Sequence, residues 1–166
     1  MRWNDGRGGT TITEVLINSM KILKNLLGGL AGALVLNIIH ETVRFFDKGA
    51  PRVDEVGEEG VGHAVKAVTG QSLSGKQLYA ANLAGDIASN TMFYSTIGSA
   101  ETKNLLLRGA ATGVSIGVST LSMTKRMGLD DTPINRSLKT KVMTIGYYLA
   151  GGIVAGLTIR ALRSGE

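Results

Sequence analysis

A chain of 166 residues without cysteine has no disulfides, thiolate metal sites or cysteine nucleophiles, and it is too short for two domains with separate large cores. Charged residues make up 19%, against about 25% in soluble domains. The 23 glycines are about twice the usual share, and the 5% of aromatics is poor material for a water-excluded core. The net charge of +5 comes from Lys and Arg scattered between apolar segments. No basic run interleaves with aromatics, so no nucleic-acid surface is expected.

Residues 1–10 are polar and glycine-rich, which predicts a flexible N-terminus. They lack the apolar core and small-residue cleavage site of a secretory signal peptide. Thr11 and Glu14 have the spacing of a capping box, which predicts a helix start. Ile12, Val15, Leu16, Leu23, Leu26 and Leu27 then recur at helical spacing, with Lys21, Lys24 and Asn25 between them. This amphipathic beginning suits a membrane surface. The apolar run 26–39, extended through Ile22 or Phe46, is long enough for a first span. The pair Gly28-Gly29 marks a place for a bend.

Residues 47–75 read as a polar loop, within which Val56, Val61, Val65 and Val68 can build a short amphipathic helix. Ser74 and Gln77 resemble a second capping box and start helix 2, 76–99. Helix 2 carries Asn82, Asp86, Ser89 and Asn90, so it is expected among other helices rather than facing lipid. A tight connection at 101–104 leads to helix 3, about 105–125, with Arg108 reaching back toward that connection. A second polar loop, 126–140, precedes helix 4, about 141–163.

All four helices carry small residues at four-residue steps: Gly28 and Gly32; Ala84 beside Gly85; Gly109, Gly113 and Gly117; Gly152 and Gly156. A step of four returns to nearly the same helix face, so these residues form flat strips along which another backbone approaches closely. In lipid, where apolar helices gain little by hiding apolar surface from one another, such strips hold helices together. The expectation is an all-α fold, a small polytopic membrane bundle of about four transmembrane helices with small-xxx-small packing, in one domain over 1–166. Its partners are the lipid bilayer and either copies of itself or other membrane proteins. A soluble helical bundle is the competing architecture, permitted by a mean hydropathy of only +0.14.

Asp47 before Pro51 and Asp131 before Pro133 hint at an internal duplication, although their spacings differ. A slight excess of Lys and Arg around the two long loops places those loops in the cytoplasm and both termini outside.

The polar residues that can carry chemistry lie on two faces. Asn37, His40, Glu41 and Arg44 occupy i, i+3, i+4 and i+7 near the end of helix 1, and Asn82, Asp86 and Asn90 step by four along helix 2. Arg44 or His40 is the natural partner for Asp86. If the faces meet, they can bind a metal, relay protons or line a solute pathway. The plainer reading is a hydrogen-bonded clasp between two helices. Adjacent His40 and Glu41 point about 100° apart on a helix, and the other histidine, His63, lies in the polar loop, so no metal or cofactor is expected. Gly28–Gly32 does not have dinucleotide-fingerprint spacing. Gly70–Gln77 lacks phosphate-loop spacing, and the acidic group Asp54, Glu55, Glu58 and Glu59 lacks that of a calcium loop. No catalytic residue emerges.

Residues 26–46, 47–59 and 79–89 resemble stretches of small uncharacterised bacterial membrane proteins, a resemblance that carries across no known activity and no site; a multi-pass location in the bacterial inner membrane is expected. The expected function is that of a structural or assembly component, as a homo-oligomer or a subunit of a larger membrane complex. The alternative is a small transporter or channel using the polar cluster between helices 1 and 2.

Overall fold

Thr11 and Glu14 form the capping box their spacing predicts. The Thr11 N–H donates to the Glu14 carboxylate at 2.9 Å, and the Glu14 N–H donates to the Thr11 hydroxyl at 3.2 Å. In the computed structural model, which describes residues 11–99 and 104–164, this cap opens α1, Ile12–Phe46. Residues 1–10, expected to be flexible, lie outside the described residues. The other elements are α2 (Val53–Thr69), α3 (Gly75–Ser95) with a single 3-10 turn (Thr96–Gly98), α4 (Leu105–Arg126), the short α5 (Thr132–Asn135) and α6 (Leu138–Arg163). The fold is all-α, and no strand occurs among the described residues.

Three helices, α1, α4 and α6, are long and apolar enough to cross a membrane. The fourth helix expected as a span, α3, does not stand among them. With 21 residues, α3 is about 31 Å long, as long as a span, but Asn82, Asp86, Ser89 and Asn90 make it too polar to stand with the other three on composition. The amphipathic helix expected within 47–75 is α2, which fills most of that connection and is ended by Gly70 in the left-handed conformation at φ 71°, and the connection 126–140 contains α5. Gly28 and Gly29 do not interrupt α1, which stays one element from Ile12 through Phe46. Its amphipathic beginning is therefore the same helix as the apolar run. Ser74 sits at the N-cap of α3 without a side-chain capping bond, whereas Ser137 and Thr140 form a capping box that starts α6 three residues earlier than expected.

The long helices alternate in direction. Gly32 of α1 lies against Gly151 of α6, and Gly28 against Ala155 and Ile159, so these two run antiparallel. Gly29 meets Thr91 and Ser95 of α3, while Asn37 meets Asp86, so α3 is antiparallel to α1. Leu105 packs on Gly156 and Gly117 on Ile145, so α4 is antiparallel to α6. The order of packing is α3, α1, α6, α4, with extensive contact between each adjacent pair and little between α3 and α4. The core lies between α1, α3 and α6, where Leu36, Tyr94, Tyr148 and Ile159 are buried. The fully buried Tyr94 donates its hydroxyl proton to the carbonyl of Tyr148 at 2.8 Å, tying α3 to α6.

This alternation brings both long connections to one end, where they dock. The Arg52 N–H donates to the carbonyl of Pro133 at 3.1 Å, Arg136 donates to the carbonyl of Ala50 at 2.7 Å, and Lys139 pairs with Asp47 at 2.6 Å. At the opposite end Arg163 donates to the side chain of Asn25 at 2.8 Å and to the carbonyl of Gly98, closing α6 on α1 and the 3-10 turn. Arg108 donates to the carbonyl of Thr96 at 3.2 Å, near the connection toward which it was expected to reach.

Candidate functional site

The two polar faces do meet, with partners other than those expected. Asn37 donates from its amide nitrogen to Asp86 Oδ2 at 2.8 Å, and Asn90 donates to Asp86 Oδ1 at 2.9 Å. Asp86 stands one turn before Asn90 on α3, and α3 faces α1, so the carboxylate comes between two amides. Neither Arg44 nor His40 reaches it. Arg44 lies two helical turns beyond Asn37 and pairs with Glu41 and with Asp54 at the start of α2. A partner from α2 was not legible in the sequence because the valine spacing that marks this helix does not say which helix its acidic first turn meets.

Asp54 anchors this outer part of the site. Arg52 adds two bonds to its carboxylate, at 3.1 Å and 3.0 Å. Partial burial pushes the Asp54 pKa up, but the hydrogen bonds and charges of Arg52 and Arg44 outweigh it and hold the carboxyl below its ordinary value. At the same end, the Lys139 ammonium and the Gly49 N–H lower the pKa of Asp47. Asn82 is buried and donates weakly to the carbonyl of Asp54 at 3.4 Å, which fastens α3 to α2.

His40 packs edge-on against Tyr147, with ring centroids 4.9 Å apart, and against Tyr148 at 6.1 Å. Its Nε2 is buried without a hydrogen-bond partner. Among the described residues no group of three His, Asp or Glu side chains converges to hold a metal.

The sparse contact between α3 and α4 leaves a half-open cavity of about 740 Å³. Asn37, His40 and Tyr148 line it from α1 and α6, Asp86 and Ser89 from α3, and Ser115 and Ser119 from α4. Val53, Val56 and Val61 of α2 line it where the long connections dock. Sequence reasoning did not single out α4 or α2 for this site. The serines at 115 and 119 share a four-residue step, which was the available signal.

The packing residues divide sharply. A Cβ on Gly109 or Gly152 would overlap the other's carbonyl, and one on Gly113 would overlap that of Tyr148. One on Gly117 would stand 2.9 Å from the Ile145 Cα. On Gly32 it would stand 2.5 Å from the Gly151 carbonyl, and on Gly156 2.5 Å from that of Leu105, while on Gly28 it would overlap Ile159. The expected strip on α3 is not at a helix contact. Ala84 is exposed, and no atom lies within 4 Å of where a Gly85 Cβ would be. The buried face of α3 is that of Asn82, Asn90 and Tyr94, whose hydrogen bonds can be satisfied only inward.

No protein-family model, curated protein or solved structure matches the chain.

Proposed function

We propose that this chain is a four-span membrane protein with a non-catalytic role, a structural or assembly subunit that associates with itself or with other membrane proteins. In this arrangement α3 is the fourth span. Its polar side turns toward α1 and α2, and its outward side carries Met92 and Phe93, both exposed. The glycine strips of α1, α4 and α6 are the adhesive, since backbone approach of this kind supplies the dispersion contact on which helix association in lipid depends. Large apolar side chains at 26, 30, 34, 38, 107 and 118 are exposed on the outer faces of the long helices, where lipid or a partner helix would cover them.

The observation that carries this reading is the state of Asp86. Both carboxylate oxygens accept from neutral amides. A carboxylate held in this way ties two helices. Replacing Asp86 by Ala is expected to lower the stability of the detergent-solubilised protein by about 1–3 kcal/mol, the cost of leaving one N–H of each part-buried amide without its acceptor. Unfolding in a denaturing detergent series, followed by circular dichroism, reads the change. Unaltered stability would refute the clasp. Recovery of the native chain from the aqueous fraction without detergent would refute the membrane placement.

A second reading, a small transporter, rests on the cavity between α3 and α4, which reaches the polar cluster at mid-helix. It predicts that Asp86→Asn abolishes solute flux in reconstituted vesicles while the fold persists.

A further inference from the structure

The cavity between α3 and α4 has a charge balance that its own residues leave open. Four charged side chains line it: Glu41, Arg44, Asp54 and Asp86. Arg44 is engaged by Glu41 and Asp54 together, so its positive charge is spent at the α2 end. Asp86 sits near the middle of α3, about 16 Å from its start and about 14 Å from its end, and its two hydrogen bonds come from uncharged amides. Those bonds fix the carboxylate in place. They occupy two of its roughly four acceptor positions and bring no positive charge. No ion pair to Asp86 occurs among the described residues. An uncompensated charge at this depth is costly, and a ligand counter-ion is one of the roles such groups serve.

The shape of the cavity narrows the ligand. About 740 Å³ is far more than a bare metal ion needs and falls within the range of small organic ligands. Leu83, Phe93, Ile116 and Met123 supply an apolar wall, while Ser89, Ser115 and Ser119 supply hydroxyls on both sides of the opening. An acyl chain could use the wall but leaves the carboxylate uncompensated. A hydrophilic cation uses the carboxylate but leaves the wall unused. A monovalent organic cation with an apolar body uses both.

We propose that the α3–α4 cavity is a binding site for a lipophilic monovalent organic cation, with Asp86 as its counter-ion and Asn37 and Asn90 as the residues that position that carboxylate. The site rests on the membrane-protein reading above and gives its second, transport version a ligand class. It does not depend on whether the ligand is moved or only held.

The test uses the full chain in detergent micelles and two probes of similar bulk, tetraphenylphosphonium and the uncharged triphenylphosphine oxide. Equilibrium dialysis against protein-free micelles corrects for partition into detergent. The expected result is saturable, one-to-one binding of the phosphonium, at least ten-fold tighter than the neutral probe. Asp86→Asn keeps a hydrogen-bonding side chain between the two amides and is expected to weaken the phosphonium at least ten-fold without weakening the neutral probe. Gly85→Phe grows into the unoccupied space beside the cavity, where no atom lies within 4 Å, and is expected to displace both probes. Equal affinity for charged and neutral probes overturns the proposal, as does phosphonium binding unaffected by either variant. Absence of saturable phosphonium binding to the folded native protein also overturns it. The comparison of the two probes on the native chain stands even if Asp86→Asn fails to fold. Failure of the membrane reading is a separate result, seen as recovery of the chain without detergent.

Discussion

At Gly113 the backbones of α4 and α6 are so close that a methyl group would overlap the carbonyl of Tyr148, whereas at Gly146, on another side of α6, no atom lies within 4 Å. The same residue type thus has opposite consequences within one helix pair. Gly113→Ala must push α4 away from α6, and because backbone cannot rotate aside as a side chain can, the cost is expected at about 1–3 kcal/mol. Gly146→Ala meets nothing and removes a flexible residue from a helix interior, so stability is expected to be unchanged or raised by up to about 1 kcal/mol. Unfolding midpoints in a denaturing detergent series give both values on one scale. Equal losses at the two positions would show that helix propensity, rather than backbone contact, governs these glycines. The four-residue step identified the strip on α4 from sequence because periodicity reports a face directly. It did not reveal that Gly151 faces Tyr94 of α3 and Gly32 of α1 while Gly152 faces α4, since that depends on where α6 lies in the bundle.

At the scale of elements, α2 is the part whose position depends most on charge. Its first turn carries Asp54 and Glu55, an arrangement favourable at a helix N-terminus, and Asp54 is gripped from both sides by Arg44 and Arg52. The net effect of those cations lowers the Asp54 pKa in the folded protein below its unfolded value. The associated stabilisation is therefore fully present above the unfolded value of about 4 and is lost as pH falls through the folded one. Hydrogen exchange of the α2 amides, corrected for the intrinsic rate, is expected to be flat from pH 5 to 8 and to accelerate below pH 4. Asp54→Asn should reproduce the acid result at neutral pH. Because the group is partly solvated, the interaction is worth about 0.5–1 kcal/mol, or a two- to five-fold loss of protection. Acceleration already at pH 6 would assign the effect to another group. The valines of α2 gave a helical pattern in the sequence, although Gly57, Gly60 and Gly62 weaken it. A buried Val56 and the weak bond from Asn82 add to the charged contacts that hold the helix.

On the scale of the whole molecule, the extent of legibility follows the range of the interactions. The long apolar helices and the inward face of α3 could be read because each depends on residues three or four apart. The docking of the two long connections could not, since Arg52 with Pro133 and Asp47 with Lys139 join segments more than 80 residues apart that share no periodic signal. The same holds for the space between α3 and α4, which exists because two helices distant in packing order touch only sparsely. This arrangement makes a strict demand on topology. If α3 crosses the membrane with the other three, the docked connections lie on one side, and the 3-10 turn and the end of α6 on the other. The chain contains no cysteine, so single replacements report position without background. Lys66→Cys and Arg126→Cys probe the first end, Ser99→Cys and Ser164→Cys the second; all four positions are exposed. In intact bacterial cells, a membrane-impermeant maleimide is expected to label positions 99 and 164 directly and positions 66 and 126 only after permeabilisation. That outcome places the more basic connections in the cytoplasm. The complete reverse would keep four spans and invert the protein. Labelling of 66 and 99 from the same side would remove α3 from the membrane, and with it the mid-depth carboxylate on which the cation site depends.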